Sequence, residues 1–228
     1  MKKIISAVVA LSISGSVLSA PLNASSLRLK VYKMAVSTSP GCTDLTTVID
    51  NGNTPSYIDF KANPNLGSGN LADGIYPCVV IEFSDNIKVT PATTGTYCVS
   101  TVENTQDVCY DYDGPGGSST PTSTLIDGST TTCDENDNRV AMYLTTAAAN
   151  ASGTDAFNRP GCDTPSCDSD TGITLLSSLS VSGTAVGKFT VDTDGKVCDG
   201  NDGGSGVCAS ETATTCNMLP PNFSFSQI

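Results

Sequence analysis

The chain contains no histidine and no tryptophan among its 228 residues, and 11 lysines and arginines stand against 23 aspartates and glutamates. Each shortage closes a class of chemistry. Without histidine there is no Ser-His-Asp or Cys-His nucleophile pair, no HExxH zinc site and no CxxCH haem attachment. Without tryptophan the best cation–π and stacking platform is missing. Aromatic residues make up only 6% of the chain, which weighs against a carbohydrate cleft lined by ring faces. So few cations cannot neutralise a row of phosphates, and this excludes nucleic-acid binding. The ten cysteines contain no CxxC pair, which removes support for a thioredoxin-type motif or a zinc ribbon. The SxxK spacing of serine–lysine catalysis is also absent.

What is abundant is small and polar. Serine and threonine together supply 57 residues, a quarter of the chain. At the start, Met1-Lys2-Lys3 is followed by an apolar stretch from Ile4 to Val17 broken only by Ser and Gly. That pattern reads as a bacterial secretory signal peptide over residues 1–20, too short and too rich in small polar residues to span a membrane. A cut after Ala20 places Pro21 next, so the position one residue earlier, after Ser19, is the alternative. No cysteine lies near this boundary, which argues against a lipid anchor. Losing Lys2 and Lys3 takes the net charge from −12 to −14. No later run is long enough to cross a bilayer, so no membrane span is expected in the mature protein.

The cysteines agree with export to a periplasmic, outer-surface or extracellular compartment. Cys42, Cys78, Cys98, Cys109, Cys133, Cys162, Cys167, Cys198, Cys208 and Cys216 all follow the leader, and their number is even. Loop length favours local pairs: Cys162–Cys167, Cys98–Cys109 and Cys198–Cys208, with Cys42–Cys78 and Cys133–Cys216 as the longer staples. Each bridge is worth about 2–4 kcal/mol, which offsets a modest core.

Strand signals recur along the chain and helical ones are nearly absent; Ala147-Ala148-Ala149 is the only good helix-forming cluster. Leu27, Leu29 and Val31 alternate with Arg28 and Lys30, and then the phase moves to Met34 and Val36, which predicts a β-bulge near Tyr32-Lys33. Arg28, Lys30 and Lys33 would blunt a sheet edge there. Asn51-Gly52, between Thr46–Ile49 and Tyr57–Phe60, predicts a hairpin turn. Ile75–Phe83 is the strongest apolar run and belongs in the centre of a sheet, buried on both faces. Shorter strands are expected at 87–89, 96–100, 108–112 and 140–145, and a last one at 223–226. Leu175–Val181 and Lys188–Val191 read as an antiparallel pair. Residues 113–122 hold no apolar side chain and read as a flexible loop within a single domain over 21–228. The expected class is all-β: an antiparallel β-sandwich with long, disulfide-pinned loops.

One set of segments is familiar. Leu27 to Val36, then Tyr57-Ile-Asp-Phe60, then Leu71-Ala-Asp-Gly-Ile-Tyr-Pro-Cys-Val-Val-Ile81 resembles the Ig-like, transthyretin-like (prealbumin-like) sandwich domains of bacterial secreted and surface proteins. Gly187-Lys-Phe-Thr-Val-Asp192 looks like an outgoing strand of such domains. The resemblance implies that Gly74 permits a tight turn and that Tyr76 packs its ring while its hydroxyl caps a corner. It brings no catalytic residues.

The carboxylates are 19 Asp and only 4 Glu, and the Asp cluster in Gly/Asn-rich stretches. Asp134, Asn136 and Asn138 have the 1, 3, 5 spacing of an EF-hand, but Arg139 stands at the glycine position and Thr145 at the bidentate glutamate position. Asp192-x-Asp194-Gly195-x-x-Cys198-Asp199 is similar to the short excalibur calcium motif, one Asp short. Asp192, Asp194 and Asp199 are therefore the metal candidates, with Ca2+ the only cofactor to consider; the same residues are also ordinary turn formers. Glu82, on the apolar strand, is the candidate acid for a carboxylate-based hydrolase, or a solvent-facing partner of Lys88. The leading expectation is a non-enzymatic structural or interaction module, whose partner is a protein or surface ligand. A calcium-dependent binding or adhesion domain is the runner-up, and the hydrolase comes third.

Overall fold

The structure, a computed structural model, describes residues 21–62, 71–110, 121–147, 156–160, 172–183, 187–200, 208 and 215–227. The leader, residues 113–120 of the 113–122 loop, the helix-forming pair Ala148-Ala149 and the cysteines at 162 and 167 lie outside the described residues. No α-helix occurs among the described residues; the elements are strands. No described helix is long and apolar enough to cross a membrane.

The organising element is β1 (Ala24–Ser37). Leu27, Leu29 and Val31 point inward while Arg28 and Lys30 stay partly exposed, which is the alternation of a strand covered on one face. At Tyr32 the register slips: Val31 faces Phe83 and the next partner pair is Lys33 with Glu82. This is the bulge that the phase change predicts. Beyond it Met34, Ala35, Val36 and Ser37 are all buried, so the second half of the strand is covered on both faces.

Shorter strands run antiparallel to β1 in succession. β2 (Thr46–Asp50) pairs with residues 33–36 and β3 (Tyr57–Asp59) with 28–30. The pairing of β2 with β3 across Asn51-Gly52 does not form. Gly52 does take the positive φ of 73°. Asn51, however, donates its N–H to Tyr32 O (2.8 Å) and its side-chain amide to Val31 O (3.0 Å). It feeds the carbonyls at the bulge, and β2 and β3 pair with successive stretches of the fourteen-residue β1 instead of with each other. β5 (Cys78–Ser84) and β6 (Asn86–Pro91) pair with β1 over residues 31–37 and 24–28. With strands on both sides, β1 is no sheet edge. Its cations instead pair with Glu103, Asp137 and Asp50.

The sheet continues through β10 (Arg139–Thr145) and β11 (Ile173–Thr174) on the β5 side, and through β7 (Asn104–Asp107) beyond β6. Every residue of β5 is buried, as expected of the strongest apolar run. Just before it, β4 (Gly74–Tyr76) carries Tyr76, whose ring is buried and whose hydroxyl donates to Ala72 O at 2.8 Å. Both faces of β5 are covered. Val79, Ile81 and Phe83 join the main core with Leu27, Leu29 and Met142. Val80 joins a smaller cluster with Ala141 and Tyr143. Over the smaller cluster lies the hairpin β8 (Thr122–Thr124) with β9 (Thr130–Thr132); Tyr143 donates its hydroxyl to Thr124 O at 2.8 Å. Burial pushes that phenol up to about 12. Fully burying one such Val, Leu, Ile or Phe side chain is worth roughly 1.5–3 kcal/mol.

β13 (Gly187–Asp192), β14 (Val197–Asp199), β15 (Cys216–Met218) and β16 (Asn222–Gln227) bring Val191, Val197, Met218, Phe223 and Phe225 into the main core. An apolar cavity of about 60 Å³ is lined by Leu29, Phe83 and Met142 together with Met218 and Phe223. β13 pairs with β16, and β12 (Leu179–Val181) pairs with β4, so the expected pairing of 175–181 with 188–191 is replaced. The reason lies in side chains: Phe189 opposes Phe225 with ring centroids 4.8 Å apart, and Val191 opposes Phe223.

Four disulfides are described: Cys42–Cys78, Cys98–Cys216, Cys109–Cys133 and Cys198–Cys208. The first and last are as the loop lengths predict. Cys98–Cys109 and Cys133–Cys216 are replaced by a nested arrangement, with Cys109–Cys133 inside the Cys98–Cys216 loop. Residues 104–107 are an extended strand that carries the chain about 13 Å at a 3.3 Å rise, so Cys109 is taken away from Cys98 rather than looped back to it.

Candidate functional site

Between β6 and β7 the chain makes a compact loop over residues 92–103. Thr96–Ser100, an expected strand, is not one: Gly95 donates its N–H to Cys98 O (2.8 Å) and Val102 to Val99 O (2.9 Å), closing two turns. Thr94 and Ser100 join by their hydroxyls at 2.9 Å. The loop is then clasped from outside by Asp199 at the end of β14. Its carboxylate accepts the backbone N–H groups of Thr96 and Tyr97, and that of Cys98 at 2.7 Å. Three donors converge on this one nearly buried carboxylate. Only glycine fits at position 95, because a Cβ there would lie 2.1 Å from Asp199 Oδ2. The Cys98–Cys216 bridge ties the same loop to β15. Gln106 completes the attachment with a two-way amide bond, donating to Met218 O (3.3 Å) and accepting Met218 N–H (2.8 Å).

This held loop turns apolar side chains outward. Tyr97, Val99 and Val102 are 37%, 40% and 47% exposed. Glu103 follows, and it binds both Arg28 (2.9 Å) and Lys88 (2.8 Å), which hold its carboxyl below the usual glutamate range. Arg28, Lys30 and Lys88 also surround the Tyr57 ring at 4.7–5.5 Å from its centroid.

The three metal candidates do not come together as ligands of one ion. Asp199 holds the loop. Asp192 accepts the N–H of Asp194 at 3.0 Å in a local turn. Gly195, at φ 67°, donates its N–H to Asn23 Oδ1 (2.8 Å). Among the described residues, no group of three or more His, Cys, Asp or Glu side chains could hold a metal ion. In the EF-hand-like stretch, Asp134 Oδ1 accepts from the side-chain amides of both Asn136 and Asn138, each at 2.8 Å. Those amides aim donors where a cation would need oxygens.

Glu82 is neither solvent-facing nor paired with Lys88. It is 1% exposed beneath the β8–β9 hairpin. One oxygen accepts the N–H of Ile126 at 2.6 Å, and the other binds both Nε and a terminal nitrogen of Arg139. The alternation argument misplaces it because β5 is covered on both faces, so its polar position faces a second layer rather than water. Arg139 in turn stacks its guanidinium over Tyr32 at 4.8 Å.

The loop itself escapes a reading of the sequence, since Asp199 lies 103 positions from Thr96. The one local signal is the pairing of Gly95 with Cys98, a turn residue beside a staple. Compared with protein-family models, with curated proteins and with solved structures, the chain matches none.

Proposed function

We propose that this chain is an exported, disulfide-stapled β-sandwich of the Ig-like or transthyretin-like kind, and that it acts outside the cytoplasm as a non-enzymatic structural or interaction module. The 92–103 loop is its contact surface. The observation that carries this reading is the combination of exposed Tyr97, Val99 and Val102 with a backbone immobilised by Asp199 and by Cys98–Cys216. A loop ordered in advance loses little conformational entropy on binding, so a few apolar tips suffice for recognition. The partner is a component of the cell envelope or a secreted protein that offers an apolar patch. The most conspicuous acid, Glu82, is sealed under a hairpin and bonded through both oxygens, which fits a framework role better than hydrolysis.

The test is fractionation of cells producing the full chain with its own leader. The reading expects the protein outside the cytoplasm, free of thiols and in part bound to the envelope. A variant combining Tyr97→Ser, Val99→Ser and Val102→Ser is expected to move into the medium while keeping its melting temperature. A reduced protein in the cytoplasm would sink the export reading. Equal partition of variant and parent would sink the assignment of the loop.

A further inference from the structure

At the opposite end of β6 from the clasped loop, Asp85 sits in the corner between β5 and β6. It is wholly buried. Its backbone joins three segments: its N–H donates to Asn138 O (2.9 Å), and its C=O accepts from Ile87 (3.0 Å) and from Val108 (2.9 Å). The side chain does less well. Oδ1 accepts the Asn138 N–H at 2.7 Å, whereas Oδ2 is buried and has no hydrogen-bond partner.

We infer that Asp85 is a proton-operated latch: its protonated carboxyl closes the corner between β5–β6, the end of β7 and the 134–138 turn, and loss of that proton loosens it. An ionised carboxylate needs donors for both oxygens, and burying one without them strongly disfavours the charged form. The charged surroundings add to this. From the end of β7 comes Asp107, whose Oδ1 accepts the N–H groups of Cys109 (3.0 Å) and Tyr110 (2.9 Å). From the 134–138 turn comes Asp137, bound to Ser84 and to Lys30 of β1. Tyr32 of β1 also feels the Asp85 charge, and the nearby Arg139 is committed to Glu82. Burial pushes the Asp85 carboxyl up to about 7; the Asn138 N–H opposes this, and the like charges of Asp107 and Asp137 add to it. A proton on Oδ2 removes the buried charge that the like charges of Asp107 and Asp137 oppose.

A proton suits the corner better than a cation does. Calcium takes six to eight oxygens, and the local carbonyls already accept hydrogen bonds: Asp85 O as above, Asn138 O from Asp85 and Asn86 O from the Tyr57 hydroxyl at 3.0 Å. The Cys109–Cys133 bridge ties the two segments that meet Asp85, so the latch acts on a corner that is already tethered.

The experiment follows the full disulfide-bonded chain from about pH 5 to about pH 8, as parent and as Asp85→Asn. The inference expects a protonated-carboxyl infrared band in the parent that disappears around neutrality and is missing from Asp85→Asn. Exchange of the Val108 and Asn138 amides is expected to accelerate, beyond its intrinsic rise with pH, in the parent only. Should Asp85→Asn fail to fold, the band and the amide exchange of the parent decide alone. A band absent already at the acid end overturns the latch. So does an unchanged corner at the alkaline end, or calcium alone abolishing the pH response by saturable binding, which would assign the corner to a cation.

Discussion

Asp199 and Asp85 are both buried aspartates in corners next to disulfides, and the chain treats them in opposite ways. Around Asp199 the backbone of residues 96–98 turns three N–H groups inward. Around Asp85 one oxygen has a donor and the other has none, and two more aspartates act on it. The difference teaches that burial by itself does not decide the character of a carboxylate. The number of donors aimed at it does. A saturated carboxylate is a structural rivet, and an undersupplied one is left sensitive to protons.

The comparison can be broken most severely at the rivet. Replacing Cys98 and Cys216 together by serine removes a bridge across 118 positions and is expected to cost about 4–5 kcal/mol in urea denaturation. Asp199→Ala leaves three backbone donors facing a void and is expected to cost about 3–4 kcal/mol, with protease cleavage appearing within 94–102. Gly95→Ala attacks the same contact from the other side, so the double variant should lose much less than the sum. Additive losses would show that the clasp is not one unit.

At the latch the sign reverses. The Asp85 carboxyl rises from an ordinary 3.8 to about 7 on folding, so its contribution to stability is complete below 3.8 and is lost as pH rises through about 7. Asp85→Asn is therefore expected to stabilise the protein by about 2 kcal/mol near pH 8 and to change little near pH 4, as read by melting curves. The smallest effect belongs to Glu103. Its carboxyl is held below 4.5, so what it contributes is present above that value and is lost as pH falls. Because it is about a third exposed, Glu103→Gln should cost less than about 1 kcal/mol, and added salt should shrink even that.

Much of the framework was legible along the chain because it depends on near neighbours. The all-β class, the bulge after Val31, the central place of residues 78–84 and the Cys198–Cys208 bridge follow from side-chain alternation and short spacings, and Cys42–Cys78 comes out as one of the longer staples. β7 was not legible, since Asn104-Thr-Gln-Asp107 has no apolar residue to mark a buried face. It is a strand because β6 offers it a ladder. Missing it also led to the wrong partners for Cys98 and Cys109. Glu82 was misplaced even though burial on both faces of its strand is expected from the apolar run. What covers its side, Ile126 of the β8–β9 hairpin and Arg139, comes from 44 and 57 positions away.

The candidate site depended even more on distance. Asp192, Asp194 and Asp199 look alike in the sequence, as acidic residues in a turn-rich stretch. Folding separates them, closing a local turn with Asp192 and setting Asp199 under a loop that lies 101 positions away in the chain. The sequence by itself determined the chemistry that is closed to this protein, the period of its strands and the supply of cysteines and aspartates, because composition and local sterics act without knowledge of the fold. Tertiary structure alone decided which cysteines meet, which carboxylate is given donors and which is left with a proton. Those outcomes turn on which backbone N–H groups a burial brings within 3 Å, and that is settled only when strands distant in the chain have paired.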